Sequence, residues 1–328
     1  MIDVDLINPD EIKDLKDCET LMILSPEKVG VELKENLNYL SIPYFGGVFP
    51  GVIYRKNRYD DKIVVVRFQE KLKIFRDSEM PEHVTGSLIV FVDGLYPQAE
   101  DILERAYFNY GLISYIGGGA GSLTLKEIDC LFDNRGFFKK GCLFANVKKR
   151  IKLAVRHGWS ETGTTFIATK TNGRVIMELD WKPAFEVYKE HLEKMGKIIS
   201  EENFFEVAKA YPFGVSKMEG EFIIRDPLST ENGMILCAGK VRQNSVLSLM
   251  KGDKNKLIEA ARKCSESIES DRVFVADCIS RVLYLGYDFK KELKAIDREC
   301  FGPLTIGEVA SSETFIEFHN KTIVVGDI

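Results

Sequence analysis

The segment Val273-Phe-Val-Ala-Asp-Cys278-Ile-Ser-Arg281 places a thiol and a guanidinium three residues apart, directly after an apolar run. A neighbouring arginine stabilises a thiolate, which makes Cys278 the best candidate for a reactive thiol in this chain. Arg281 could equally fork onto a ligand carboxylate. No histidine has a reason to partner Cys278, so a Cys/His nucleophile is not expected, and there is no Gly-x-Ser-x-Gly elbow. Arg156-His157-Gly158-Trp159 joins a cation, an imidazole and one of two tryptophans at a strand end. That group suits either a pocket rim or a packed tryptophan with a solvent-facing histidine. Ile116-Gly117-Gly118-Gly119-Ala120-Gly121-Ser122 is the densest glycine cluster. It lacks the third glycine of a dinucleotide fingerprint and the Gly-Lys-Ser/Thr of a phosphate loop. Its backbone amides could line a small-molecule pocket, or it could be a tight turn needed only for packing. His83, His191 and His319 stand alone, so no zinc spacing exists, and nothing in the pattern asks for a cofactor.

The elements that must carry these residues alternate between helix and strand. Apolar positions Ala99, Ile102, Leu103, Ala106 and Tyr110 keep helical spacing, as do Ala184, Val187, Tyr188, His191, Leu192 and Met195. The second run has Pro183 at its start and Gly196 just past its end, the expected boundary residues. Further helices are predicted at Leu257–Cys264 and Phe289–Ile296. Runs of β-branched and aromatic residues predict strands at 63–68, 88–92, 142–147, 151–156, 164–169, 175–179, 221–225, 234–238, 273–276 and 282–287. Leu88-Ile-Val-Phe-Val92 is apolar throughout and belongs in a sheet interior. Asn172-Gly173 is the clearest hairpin turn. The fold class is therefore α/β (α+β), with mixed, mainly antiparallel sheets flanked by helices.

With 328 residues the chain has room for two domains. A polar stretch from Gly196 to Pro212 marks the junction, giving domains at 1–196 and 197–328. Two segments resemble each other: Leu88–Asp93 leads through a helix to Ile116–Ser122, and Val273–Asp277 leads through Phe289–Ile296 to Thr305–Ser311. Two related halves with a ligand cleft between them would follow. A net charge of −5 offers no basic excess for nucleic acid. No apolar run approaches the length of a membrane span, and the acidic N-terminus lacks a secretory signal, so the cytoplasm is the expected compartment. Seven unpaired-looking cysteines fit a reduced chain in which most are small core residues. The sequon Asn320-Lys-Thr322 has no meaning in a cytosolic chain.

In these same segments the chain resembles the FIST proteins, with their N-terminal and C-terminal FIST domains. The resemblance runs through Leu88–Gly94, Ile116–Gly121, His157-Gly-Trp159, Thr169…Asn172-Gly…Glu178-Leu-Asp180 and Lys182-Pro-Ala184…Tyr188. It continues through Arg225-Asp226, Gly239-Lys-Val241, Asp277-Cys278…Arg281, Gly307-Glu308 and His319-Asn-Lys-Thr322. Trp181 stands where the family pattern has glycine, and Ser122 or a neighbour where it often has aspartate. The resemblance implies a sensory module that recognises small molecules such as amino acids. It adds Asp93, Arg225 and Glu308 to Gly117, Gly118, Gly119, Arg156, His157, Cys278 and Arg281 as candidate ligand-binding residues.

The sequence thus points to a cytoplasmic sensor, not an enzyme, that binds an amino acid or a small acidic metabolite and signals through a separate protein, because the pattern leaves no attached output region. Two alternatives stay open: an enzyme using a Cys278 thiolate, and a protein-interaction scaffold.

Overall fold

Leu88-Ile-Val-Phe-Val92 divides its side chains as a strand must: Ile89 and Phe91 enter one core, and Leu88, Val90 and Val92 enter another. The computed structural model, which describes residues 2–217, 221–312 and 315–328, contains three related units, and the same division recurs at Val273–Ala276 but not at Leu21–Leu24, whose side chains all enter the first core. The first unit contains strands β1 (Ile2–Ile7) and β2 (Thr20–Pro26), helix α1 (Gly30–Asn36), then β3 (Tyr44–Phe49), β4 (Gly51–Tyr54), β5 (Asn57–Tyr59) and β6 (Ile63–Phe68). The second contains β7 (Lys73–Arg76), β8 (Ser87–Asp93), α2 (Ala99–Tyr110), β9 (Ser114–Ala120), β10 (Leu131–Asp133), β11 (Gly136–Phe138) and β12 (Cys142–Val147).

The third unit opens with β13 (Leu153–Arg156) and is then interrupted by an inserted unit. The insertion holds β14 (Ser160–Ile167), β15 (Lys170–Asn172), β16 (Val175–Leu179), β17 (Lys182–Pro183), α3 (Ala184–Lys194) and α4 (Phe204–Ala208). It continues with β18 (Phe213–Ser216), β19 (Phe222–Arg225), β20 (Pro227–Glu231), β21 (Met234–Cys237) and β22 (Val246–Lys251). Helix α5 (Lys254–Glu266), capped by the Asp253 side chain, returns the chain to the third unit. There follow β23 (Arg272–Cys278), α6 (Ile279–Leu285), α7 (Phe289–Ala295), β24 (Glu299–Thr305), β25 (Glu308–Ser311), β26 (Ile316–His319) and β27 (Ile323–Gly326).

Each unit centres on a parallel pair, β2–β3, β8–β9 or β23–β24, and adds antiparallel strands on both sides. On one side the added strands are the unit's own. On the other they are a hairpin from a different unit: β4–β5 pairs with β24, β25–β26 with β9, and β10–β11 with β3. The three six-stranded sheets are thereby linked in a ring. Their inner faces share one core, in which Phe45, Phe49 and Phe91 lie within 6.0 Å of one another's ring centres along the chain of contacts. Helix α2 covers the outside of the second sheet, and α5, α6 and α7 cover the outside of the third. The inserted unit has its own two sheets and its own core around α3 and Phe213.

The expected relation between the two segments is thus part of a threefold one, with a different register. Gly117 corresponds to Gly302 and to Gly46, each directly opposite the preceding parallel strand. A Cβ at Gly46, Gly117 or Gly302 would come within 2.0, 1.9 and 2.0 Å of the carbonyl oxygens of Ile23, Val90 and Val275. The glycine cluster is therefore not a turn: Gly117, Gly118 and Gly119 lie inside β9, where the missing side chains allow close approach. A second correction concerns 282–287, which is not a strand. Residues Ile279–Leu285 form helix α6, its inward side pinned by the buried Arg281. Strands from both sides of residue 196 pair within the second and third sheets.

The steric reading gives a direct test. Gly302→Ala should lower the unfolding free energy by at least about 2 kcal/mol, because the new methyl meets a sheet carbonyl that cannot move. Gly30→Ala, whose Cβ would meet only Val48 methyls at 3.4 Å, should be neutral or slightly stabilising. Urea denaturation of both variants measures the contrast.

Candidate functional site

Parallel strands in α/β sheets place loops at their carboxyl ends, where ligands are commonly held. At the carboxyl ends of β23 and β24 lies a cavity of about 220 Å³. The three-sheet body supplies Cys278, Ile279, Ser280 and Leu283 at the start of α6, Ile306 and Gly307 in the crossover from β24 to β25, and Asn320. The loop after β9 supplies Leu123 and Leu125. The inserted unit closes the remaining side with Phe205, Asp226, Leu228 and Ala238.

The polar floor is held from beneath by the turn between β26 and β27. Lys321 occupies the left-handed region (φ 52°) and is wholly buried, and its Nζ lies 3.0 Å from Asp226 Oδ1 and donates to the Lys209 carbonyl at 3.0 Å. The ammonium also stands 4.9 Å from the Trp159 ring centre, and Trp159 Nε1 donates to the Lys321 carbonyl. Buried charges survive only when paired, and this pair ties the insertion to the body. Two acceptors are left over: the second carboxylate oxygen of Asp226 and Oδ1 of Asn320 are buried with no hydrogen-bond donor, in residues each 1 % exposed.

The expected site residues fall into different places. Cys278 lines the cavity, and Glu308 lies directly behind it, accepting from Thr305 Oγ1 at 2.6 Å and from the Thr322 amide at 3.2 Å. Burial pushes the Glu308 carboxyl up to about 8, against the opposing pull of the Thr305 hydroxyl and the Cys278 thiol. Burial also pushes the Cys278 thiol up, helped by Glu308 and Asp226. Arg281 does not activate that thiol. It is consumed by Asp277 (3.1 Å), Glu292 (2.9 Å) and the carbonyls of His157 and Leu257. Burial and the adjacent Glu292 hold the Asp277 carboxyl well above its usual range.

The remaining candidates do not line the cavity. Arg156 is exposed at the end of β13. His157 is held down to about 4 by burial and by Arg281, so its ring is neutral, and its Nδ1 accepts from the Trp159 amide. Arg225 bonds to the carbonyls of Lys240 and Phe318 and to Glu100 on α2, fastening the insertion to the second unit. Asp93 accepts from the amides of Leu95 and Lys140. Gly118 and Gly119 act one layer away. Cβ atoms there would meet Thr305 and the Ile306 carbonyl at 2.4 and 2.1 Å, so their bareness lets the cavity's crossover approach β9.

Sequence reasoning missed the polar lining residues Asp226 and Asn320, and Lys321, which lies behind the lining against Asp226. Each stands inside a motif already quoted, but only the neighbouring Arg225 carried a recognisable charge-in-strand signal. A wider surface depression around Leu15–Glu19, Ile42 and Gln69, about 490 Å³, is lined mostly by exposed side chains. Among the described residues no cluster of three His, Cys, Asp or Glu side chains could hold a metal ion, and no helix is long and apolar enough to cross a membrane.

Residues 24–182 match the FIST N domain and residues 184–311 the FIST C domain, together covering most of the chain. The chain belongs to the FIST family. FIST domains are small-ligand sensory domains of signalling proteins, a family role that is not catalytic. The uncharacterized protein MJ1623 of Methanocaldococcus jannaschii is 24 % identical over 86 % of this chain, and the match spans 66 % of that protein's length. In this FIST protein the Trp181 departure lies in a left-handed turn (φ 63°) between β16 and β17, away from the cavity. Ser122 instead shapes the cavity loop, its hydroxyl 2.9 Å from that of Thr124.

Two outcomes are expected at this site. Iodoacetamide at pH 7 should label the partly exposed Cys18 first and leave Cys278 unmodified until the protein unfolds. Rapid native labelling of Cys278, read by peptide mass spectrometry, would restore the thiolate reading. For Glu308, the folded value of about 8 lies above the ordinary 4.5. Its contribution to stability is therefore complete below pH 4.5 and is lost as pH rises through 8. Unfolding free energies of wild type and Glu308→Gln should diverge in the variant's favour by a few kcal/mol between pH 5 and 8.5.

Proposed function

We propose that this FIST protein is a sensor whose ligand occupies the cavity between the inserted unit and the body, and that the occupied state is read by a separate protein. The single observation that carries this reading is the cavity of about 220 Å³ walled by both parts, whose lining residues Asp226 and Asn320 carry buried acceptors without a donor. An acceptor left without a donor in a protein interior costs about 1–3 kcal/mol, a cost that a ligand donor removes. The matching group is an amine or ammonium. The Ser280 hydroxyl on the same wall can donate to a carboxylate, so the α-amino acid head fits the polar floor. Small acidic metabolites fit less well, because their case rested on Arg156 and Arg281, and neither side chain lines the cavity.

The cavity is smaller than the roughly 300–1,000 Å³ of sites that enclose drug-sized molecules, in keeping with a small metabolite. Catalysis finds no support in the cavity's chemistry: its thiol is protonated, and its carboxylate is paired with Lys321.

Replacing Asn320 with leucine separates binding from folding. The variant should keep or raise the melting temperature, because an unsatisfied acceptor is removed. It should also weaken amino acid binding by about tenfold or more. A thermal-shift screen of the twenty amino acids on both proteins tests this, with bound wild type rising by mass action. Absence of any shift in the wild type, or equal shifts in the variant, would count against the cavity as the binding site.

A further inference from the structure

We propose that the ligand is an amphiphile: an amine-bearing head on the polar floor, continued by a linear aliphatic chain that leaves the cavity between Leu123, Leu125 and Leu283. This rests on the reading of the cavity as the ligand site and adds the class of molecule. The lining is graded from floor to mouth. Asp226 and Asn320 sit at the floor, each 1 % exposed, whereas Leu123, Leu125 and Leu283 at the mouth are 38 %, 50 % and 39 % exposed. Polar groups are thus where water is excluded, and large apolar groups are where water enters, the reverse of a surface cleft built for a polar metabolite.

The mouth is a constructed feature. Leu125 is held at φ 55°, a conformation that disfavours a branched side chain, and its amide donates to the Ser122 carbonyl at 3.0 Å. The Thr124 amide donates to the Ser122 hydroxyl, and the Leu123 amide to Glu27 at 3.2 Å. These bonds fix the backbone that carries two of the exposed lining leucines, and the third, Leu283, comes from α6. Among the described residues no lysine or arginine lines the cavity, so nothing there answers an anionic tail. A short amino acid would satisfy the floor and leave the three leucines wet. An aliphatic extension covers them, and burial of each methylene improves binding about fourfold.

Calorimetric titration with straight-chain 2-amino acids, from 2-aminobutyrate to 2-aminooctanoate, holds the head constant while the chain grows. The dissociation constant should fall about fourfold per methylene until the chain clears the rim, then level off. Leu125→Ser and Leu283→Ser should flatten that dependence, so that the gain per added methylene among the longer members falls well below about fourfold. Binding detectable only for the longer members also supports the amphiphile. If short members bind and affinity does not rise with length, the amphiphile is overturned while the cavity stands as the ligand site. If the serine variants keep the full chain dependence, the exit path is overturned. If no member binds the wild-type protein, both readings fall together.

Discussion

Each parallel strand pair in this fold has an edge that its own unit cannot close. The second strand of each pair, β3, β9 or β24, would present a row of unpaired amides and carbonyls, and such rows in a buried sheet are not tolerated. The hairpin that satisfies each edge comes from another unit, and the donations run in a closed ring. Each sheet needs strands from two units, so the three sheets are all complete only when all three units are present. The common core of Phe45, Phe91 and Phe274 has the same dependence, because it is bounded by the inner faces of all three sheets. The cavity inherits it too. Its Ile306-Gly307 wall is the crossover that carries the chain from β24 in one sheet to β25 in another, held to β9 by reciprocal bonds of 2.7 and 2.8 Å between Gly119, Gly307 and Ile306.

Much of this was legible wherever a local period reports the element. Helix α2 occupies the residues its spacing predicts, and α3 runs from the residue after Pro183 to just before Gly196, whose left-handed backbone ends it. The Asn172-Gly173 turn joins β15 and β16 as expected. What local patterns could not show is which long-range neighbour a residue meets. Val282-Leu-Tyr-Leu285 has strand-like composition, but it is helical, with Val282 and Leu285 packed inside and the preceding Arg281 ion-paired to Glu292 on α7. Glycines 117–119 have turn composition, but they serve a strand crowded by Val90, Thr305 and Ile306. The same limit applies to the charged candidates. Arg225 and Arg281 look available in sequence because their partners, Glu100 and Glu292, lie in other elements.

The site sits where the threefold pattern is broken. Three residues beyond Ile23, Val90 and Val275, the first parallel strands end in Pro26, Asp93 and Cys278. Asp93 closes its own strand end by accepting two backbone amides, which fills the space with the loop itself. At Cys278 the side chain is shorter, the thiol is a weak partner, and the cavity remains. Only this third unit carries the insertion, and the insertion delivers Asp226 and Phe205 to the gap. The Glu308 carboxyl behind the thiol bears on the charge seen by a ligand. Below pH 8 it is held mainly neutral by burial, so the floor's charge is confined to the Asp226–Lys321 pair, which cancels. A ligand in the proposed site would then be recognised by where it places its donor and its apolar surface, with little discrimination by net charge. That is the regime in which the shape of a leucine-lined mouth, rather than ion pairing, sets which molecules bind.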